Sequence, residues 1–422
     1  MPSSYAETTV DPVFVVAALS LGADSVADRC TARPVDCAAA TPAQALAPLP
    51  VAAFRAAPEV GRAIEFILSL QPEGTYILSR VGVNGVVPMD LAHAALALCQ
   101  AGHLREAEAA LDWLLALQTR SGEAGSVVVR EVDEETITID YAGAWYDHYQ
   151  VDGSPKVRMT RGRGEAVGLT LIALATVVHA DPAYAAQVVA GEPVVAYVAR
   201  AAGYLRQPVL QKADGRFHHR PDYQVSFGEE ASRMGLGLRL AGELLAAAGP
   251  GYAQAAREAR EAGDRGVAQL ATGELAVGMS YDYYAQAIWG LTNVEGARAE
   301  QERAEAAGVV TPYGVRRYDW QRLNAHDWRQ ELSWWARERV VGASESFDWG
   351  LACLAAGDLA GAIRVEQAWL ALQDADGGFP DGYLPTVGAT VGAPTSYAAA
   401  RFVLLERTLT AATTGAMVAA VP

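Results

Sequence analysis

No apolar run in this chain reaches roughly 18 residues, so the sequence offers no membrane-spanning helix. Positive charge is also scarce. Lys and Arg total 33 against 49 Asp and Glu, a formal net charge of -16. Nucleic-acid binding wants a basic face, so that partner class is not expected. Cysteine is rare, at four in 422 residues, and no CxxC pair or His/Cys cluster has zinc spacing. Cys99 and Cys353 fall in apolar helical runs and read as buried thiols. Cys30 and Cys37 lie close together near the N-terminus, either reduced or bridged. Phosphate-loop and dinucleotide-binding glycine patterns are missing, and RGRGE at 161–165 is too short for either. Asp374, Asp376 and Gly377 resemble the start of a calcium loop, but the rest of that pattern is absent, which leaves a turn. No metal or cofactor is therefore expected. The N-terminal stretch PVFVVAALSLGA has no basic residue before it and so lacks the charged start of a secretory leader. With so little cysteine, the expectation is a cytoplasmic protein.

What is present is helix-forming residues in quantity. The chain is 51% hydrophobic and 19% charged, enough apolar material for a large core. Ala, Leu, Glu and Arg dominate, which leans helical. Four stretches repeat one pattern of apolar helical run, Gln, Gly and aromatic. They are FILSLQPEGTY from Phe66 to Tyr76, WLLALQTRSGEAG from Trp113 to Gly125, YLRQPVLQKADGRF from Tyr204 to Phe217, and WLALQDADGGF from Trp369 to Phe379. Each copy marks a helix that ends, a turn through Gly, and an aromatic that packs back.

Counting helices outward from these marks gives six pairs. Apolar spacing predicts them at 58–71 and 88–101, 103–118 and 163–180, 192–207 and 228–247, 252–271 and 279–293, 321–340 and 344–357, and 359–373 and 394–409. In most pairs the first helix is amphipathic and the second is apolar nearly all round. A helix apolar on every face is buried, and an amphipathic one lies outside it. Six outer and six inner helices in alternation predict an all-α fold, an (α/α)6 toroid. Two alternating runs, VVVREV and TITID, predict a small β-hairpin insertion near 125–140. A second long connection spans 294–320. The domain expectation is an N-terminal arm at 1–50, a toroid at 51–410 and a C-terminal tail at 411–422.

The rhythm and the Gln-Gly-aromatic pattern resemble the α/α-toroid superfamilies over about residues 55–410. These include the six-hairpin glycosidases with related polysaccharide-processing enzymes, and the terpene-cyclase and protein-prenyltransferase repeats. The departures narrow the choice. The D-x-D-D acid motif of class II terpene cyclases is absent, and VDEETITID at 132–140 has the wrong pattern. Cys353 follows Asp348 by five residues, which does not match the zinc set of the prenyltransferases. The Cys-His zinc set of lanthipeptide-cyclase-type toroids is absent too. Nothing contradicts the glycosidase-like branch.

Candidate chemistry gathers at the starts of the inner helices: Asp90, Glu165, Glu229 with Glu230, Asp282, Glu345, and Ser396 with Tyr397. Helix capping alone would also place acids and Ser there. The set is harder to explain as caps, because aromatics such as Tyr281 and Trp349 sit beside the acids. The segment 140–165 adds Asp140, Tyr141, Trp145, Tyr146, Asp147, His148, Arg161 and Arg163, a mixture suited to sugar faces and hydroxyls. Trp334 lies in a Trp-rich stretch, and Asp381 and Tyr383 follow the last repeat. His218 and His219 lack further metal ligands.

These residues predict a carbohydrate-active enzyme, foremost a glycoside hydrolase with paired carboxylates. Glu165 and Glu345 are the leading catalytic pair, with Asp90 and Asp282 in reserve. Their places on opposite walls favour inversion. Asp140, Tyr141, Trp145, Tyr146, Asp147, His148, Arg161, Arg163, Glu230, Tyr281, Trp334, Trp349, Asp381 and Tyr383 would bind a small-molecule or oligosaccharide substrate. An epimerase or lyase would use His148 or a Tyr as base. An isoprenoid cyclase without D-x-D-D and a non-catalytic scaffold are the readings from other classes.

Overall fold

A computed structural model describes residues 58–121, 127–132, 135–156, 162–221, 226, 228–269, 294–306, 308–316 and 339–414. The N-terminal arm, the predicted helices at 279–293 and 321–340 and most of the C-terminal tail lie outside them. In chain order the helices are α1 (Pro58–Ser69), α2 (Pro88–Gln100), α3 (Leu104–Ala116), α4 (Gly164–Ala180), α5 (Val194–Leu205), α6 (Gly228–Ala247), α7 (Ala253–Ala268), α8 (Val294–Ala306), α9 (Ala343–Ala355), α10 (Leu359–Leu370) and α11 (Ser396–Thr414). The helix α8 stands inside what the sequence predicts as a connection, and α11 continues past residue 410.

The inner and outer division follows the apolar pattern. All but two residues of α4 and of α2 are buried, and all but one of α9. By contrast α1, α3 and α7 bury only one stripe each. The inner helices pack in series, α2 on α4 and α4 on α6, then α9 on α11. The ring closes where α11 packs on α2 and on α1. Small residues allow close approach. A Cβ on Gly168 would meet the Arg233 backbone, and one on Gly237 would meet the Gly168 backbone. The fold is the all-α toroid expected. The β-hairpin insertion is present as β1 (Val127–Val132) paired antiparallel with β2 (Glu135–Asp140).

The repeated Gln holds neighbouring outer helices together. Gln71, after α1, donates its amide to the Glu106 carbonyl on α3 at 2.8 Å. Gln118, after α3, donates to the Tyr197 carbonyl on α5 at 3.2 Å. Gln211, after α5, donates to the Ala262 carbonyl on α7 at 2.8 Å. Gln373, after α10, donates to the Glu59 carbonyl on α1 at 3.1 Å, which joins the last hairpin to the first. Gln71, Gln118 and Gln373 also bond a carbonyl of their own turn. The glycines complete the joint. Gly215 and Gly377 have φ of 96° and 90°, and a Cβ would strike the carbonyls of Arg265 and Arg62 on the same neighbouring helices.

The second repeat differs from its sequence reading. The glycine that seats against the next outer helix is Gly143, with φ of 96° and the Arg200 carbonyl beneath it. Trp145 is the matching aromatic, buried with its indole N–H donating to the Leu114 carbonyl at 2.7 Å. Thr119 and residues 143–144 exchange backbone bonds at 2.9 Å, so the insertion leaves and returns at one point of the turn. Gly122 and Gly125 lie inside that insertion and outside the described residues.

A carboxyl cluster sits at the closure. Glu406 on α11 is buried against Glu366 on α10, with Glu59 of α1 nearby, and its pKa is pushed up to about 8 by burial and these two acids. Glu366 is raised too, chiefly by burial. Each binds its proton more tightly folded than unfolded. Their contribution to stability is therefore complete below the unfolded pKa and is lost as pH rises through about 8.

Two outcomes test this architecture. Replacing Gln118 by Ala deletes buried hydrogen bonds and strands their carbonyl partners, and should lower unfolding free energy by about 2–4 kcal/mol in urea titrations. Unfolding free energy should fall between about pH 5 and 8, and Glu406→Gln should flatten that slope; an unchanged slope would remove the cluster from the account.

Candidate active site

Loops meet over the starts of the inner helices through backbone pairing. Val86 and Tyr149 exchange two hydrogen bonds, of 3.0 and 2.9 Å, which dock the loop after β2 onto the loop before α2. Arg80 bridges Thr395, and the Ser396 N–H at the start of α11 donates to the Ser79 carbonyl at 3.0 Å. The Ala343 N–H at the start of α9 donates to the Asp381 carbonyl at 3.1 Å, extending the pairing of β3 (Val341–Gly342) with β4 (Gly382–Leu384). Gly164 at the start of α4 donates to the His219 carbonyl at 3.1 Å. The polar helix starts are thus gathered at one mouth.

Beneath the mouth, charged groups cross from helix to helix. Glu165 is 1% exposed. One oxygen lies 2.6 Å from Arg163 Nε in an ion pair, and the other accepts from Arg233 Nη1 at 2.9 Å. Burial alone would raise its pKa, but Arg163, Arg233 and His219 together hold it down at about 2. Arg401 of α11 pairs with the buried Asp348 of α9 and donates from Nη2 to the Tyr397 hydroxyl at 3.0 Å, with its guanidinium 5.0 Å from that ring's centroid. The Tyr397 ring meets His93 edge-on at 4.7 Å. His93 is fully buried and donates from Nδ1 to the Met89 carbonyl at 2.9 Å. Burial, then Arg401 and Arg233, push its pKa well below the usual imidazole range, so the ring is neutral.

Asp90 stands apart from these pairs. It lies at the third position of α2, half-buried at the mouth, and forms no ion pair with an Arg or Lys among the described residues. Burial raises its pKa to about 7, and the Asp381 charge adds to the rise. The Ser79 side chain, then the Arg80 and Arg163 charges, oppose it. At two of these helix starts the carboxyl engages other side chains: Glu165 its two arginines, and Glu345 a 3.0 Å bond from the Ser344 hydroxyl.

The other predicted residues divide into three groups. Asp147 and His148 are half-buried beside this cluster, and burial followed by Lys156 lowers the His148 pKa, with Arg163 and Arg80 adding to the fall. Tyr146 is half-buried against Tyr149, and Tyr383 lies on Tyr313 with centroids 4.6 Å apart. Tyr141, Trp145 and Trp349 are buried, and their rings are packing groups. Asp140 turns its carboxylate onto the Ala142 N–H at 2.9 Å. Arg161, Tyr281, Asp282 and Trp334 lie outside the described residues, as does the Glu230 side chain. Cys99 and Cys353 are buried thiols pushed up to about 12, too little ionised to act as nucleophiles. No group of three or more His, Cys, Asp or Glu among the described residues could hold a metal ion. None of their helices is long and apolar enough to cross a membrane.

Sequence reasoning assigned no site role to Ser79, His93, Arg233, Asp348 and Arg401. Four of these sit about one turn inside an inner helix, after Asp90, Glu230, Glu345 and Tyr397 respectively. A lone polar residue at that depth in an apolar helix was the available signal.

No family model matches the chain, and no curated protein matches it by sequence. Solved structures do match. A wild-type glycosidase superposes with a TM-score of 0.59 at 15% identity, over 85% of this chain and 97% of its own. A glycosidase variant with a glutamate replaced by alanine, in complex with glucose, gives 0.59 at 16% over the same shares. A GH63 mannosylglycerate hydrolase from Thermus thermophilus, also in complex with glucose, gives 0.51 at 13%, over 83% of this chain and 99% of its own. At these identities the likeness establishes the toroid.

The paired charges give a direct test. Arg233→Gln leaves Glu165 buried with one guanidinium, and should cost about 3–5 kcal/mol in chemical denaturation. Replacing both Arg233 and Glu165 by apolar residues of similar volume should recover much of that loss.

Proposed function

We propose that the chain is a glycoside hydrolase acting at the mouth of the toroid. The observation that carries this reading is Asp90, a half-buried carboxyl whose pKa is raised to about 7 among groups held ionised. Glycosidic cleavage needs one carboxylic acid that is protonated at working pH and a second carboxylate that is not. The fold likeness to glycosidases, two of them holding glucose, supports the same reading.

Asp90 is the proton donor to the departing glycosidic oxygen. Glu345, at the start of α9, is the base that takes a proton from the attacking water. The helices α2 and α9 are not neighbours in the ring, since α11 packs between them. That spacing suits the gap of about 6.5–9.5 Å of an inverting enzyme, which leaves room for water. Glu165 is the anion that holds Arg163 and Arg233 in place. Its pKa of about 2 and its two occupied oxygens suit that role better than proton transfer. Asp147, His148, Arg163, Asp381 and Tyr383 are offered as hydroxyl-binding and ring-stacking groups around an oligosaccharide or a smaller glycoside. The toroid at 51–410 forms one catalytic domain in this proposal.

One observation favours a second reading within carbohydrate chemistry. His148 is kept neutral near two arginines, as a base for proton abstraction beside a carbonyl would be. An epimerase or lyase would then incorporate solvent deuterium into recovered sugar, which a hydrolase does not.

A panel of aryl glycosides and oligosaccharides, glucosides first, tests the hydrolase. Asp90→Asn and Glu345→Gln should each cut kcat by about 10²–10⁴-fold while leaving the melting temperature in place. In the unmodified enzyme kcat/KM should fall above about pH 7 as Asp90 loses its proton. Turnover at the original rate in both variants would sink the assignment.

A further inference from the structure

Cations are scarce in this chain, with 33 basic residues against 49 acidic ones, and several are held on acids. Arg163 pairs with Glu165, Arg200 with Glu192, and Arg401 with Asp348. Arg80 and Lys156 differ. Both are exposed, and neither side chain forms a salt bridge or a hydrogen bond among the described residues. Both also lie in the loops that meet over the starts of the inner helices.

Backbone pairing sets these two cations on either flank of His148. On one flank, the Lys156 N–H donates to the His148 carbonyl at 3.1 Å, and Tyr149 bridges Pro155. On the other, Tyr149 pairs with Val86, and the Ser79 N–H donates to the Gly85 carbonyl at 3.2 Å. Paired segments of this kind lie about 4.8 Å apart. Lys156 is therefore one segment from His148, and Arg80, next to Ser79, is two segments away on the opposite side. That separation is within the span of two long side chains. His148 is half-buried between them, and its Nδ1 is buried with no hydrogen-bond partner. The electrostatics agree with this placement. Burial lowers the His148 pKa first, then Lys156, with Arg163 and Arg80 behind it, against an opposing push from Asp147.

Resting on the reading of the mouth as a glycoside-hydrolase site, we propose that Arg80, His148 and Lys156 form a subsite for a singly charged anionic group on the sugar, a carboxylate or a sulfate ester. Arg80 offers a planar fork of donors and Lys156 a mobile ammonium. The neutral His148 ring offers an N–H from the nitrogen that lacks a partner. The acids acting on the same space are Asp90, Asp147 and Asp381. They oppose a doubly charged phosphate more strongly than a single charge. Asp90 keeps its proton to about pH 7 and so tolerates an anion beside it. The substrate class is then an acidic glycoside, a uronate or a sulfated sugar, rather than a neutral one.

The test is calorimetric binding of methyl glucuronides, both anomers, against the matching methyl glucosides and methyl glucoside 6-sulfates, with the full chain. A charged probe should bind about tenfold more tightly than its neutral counterpart. Arg80→Gln and Lys156→Gln should each cut that preference about threefold, and the double variant should abolish it. Arg257→Gln, which removes a cation from the outer helix α7, should leave it unchanged. About 1 M sodium chloride should screen it out. Tighter binding of the uronate assigns the subsite to carboxylates, and tighter binding of the 6-sulfate assigns it to sulfate esters. Equal affinity for charged and neutral probes, no binding of either, or a preference that survives in the double variant overturns the subsite, even if neutral glucosides are cleaved. A preference that depends on Arg80 and Lys156, in a protein that cleaves no aryl glucoside, glucuronide or sulfated glucoside, keeps the subsite and overturns the hydrolase reading.

Discussion

A side-chain amide bonding a backbone carbonyl of the next outer helix is the interaction on which this structure depends. A toroid of helical hairpins needs each hairpin to hold its neighbour at a fixed angle, and apolar packing is too permissive to set that angle alone. Gln71, Gln118, Gln211 and Gln373 set it with directional bonds. Gly143, Gly215 and Gly377 let the backbones close to a distance that no Cβ would permit. Because these amides are largely buried, a slipped register would leave donors and acceptors unpaired at a cost of about 1–3 kcal/mol each. The Gln373 bond to α1 makes the same device a ring closure.

Closure determines what the interior can hold. Once the ring is shut, polar residues one turn inside the helices can only meet one another. Arg233 finds Glu165, and Arg401 finds Asp348 and Tyr397. Buried ion pairs of this kind rarely add net stability over apolar side chains. Their physical effect is electrostatic: they fix the charge of Glu165 and keep His93 neutral. Against that fixed background burial raises Asp90 so that it keeps its proton to near neutrality. Asp90 and Glu165, acids at equivalent helix starts, thus acquire opposite protonation tendencies from their surroundings.

The fold was legible in the sequence because its determinants are local and periodic. Apolar spacing separates inner from outer helices, and the Gln and Gly of each repeat are close together in the chain. The second repeat was misread because the insertion separates Gln118 from Gly143, so a nearer glycine looked like its partner. The site was only partly legible. Asp90, Glu165 and Glu345 announce themselves as acids at helix starts. Which of them holds a proton depends on burial and on partners such as Arg233, which is 68 residues from Glu165 in sequence and adjacent to it only after folding. Tyr141 and Trp145 look like sugar-stacking groups in composition, but both are buried, and the Trp145 indole bonds the Leu114 carbonyl. A motif rich in aromatics cannot tell which face each ring presents.

The account turns on Asp90 standing over the bond that breaks. A crystal structure of the Asp90→Asn variant holding an intact oligosaccharide measures this most directly. The account predicts a sugar at the mouth formed by the starts of α2, α4, α9 and α11, with its glycosidic oxygen about 3 Å from the side chain at position 90. A sugar bound on the outer helices, or a glycosidic oxygen beyond hydrogen-bond reach of that side chain and beside another carboxyl group, would contradict it.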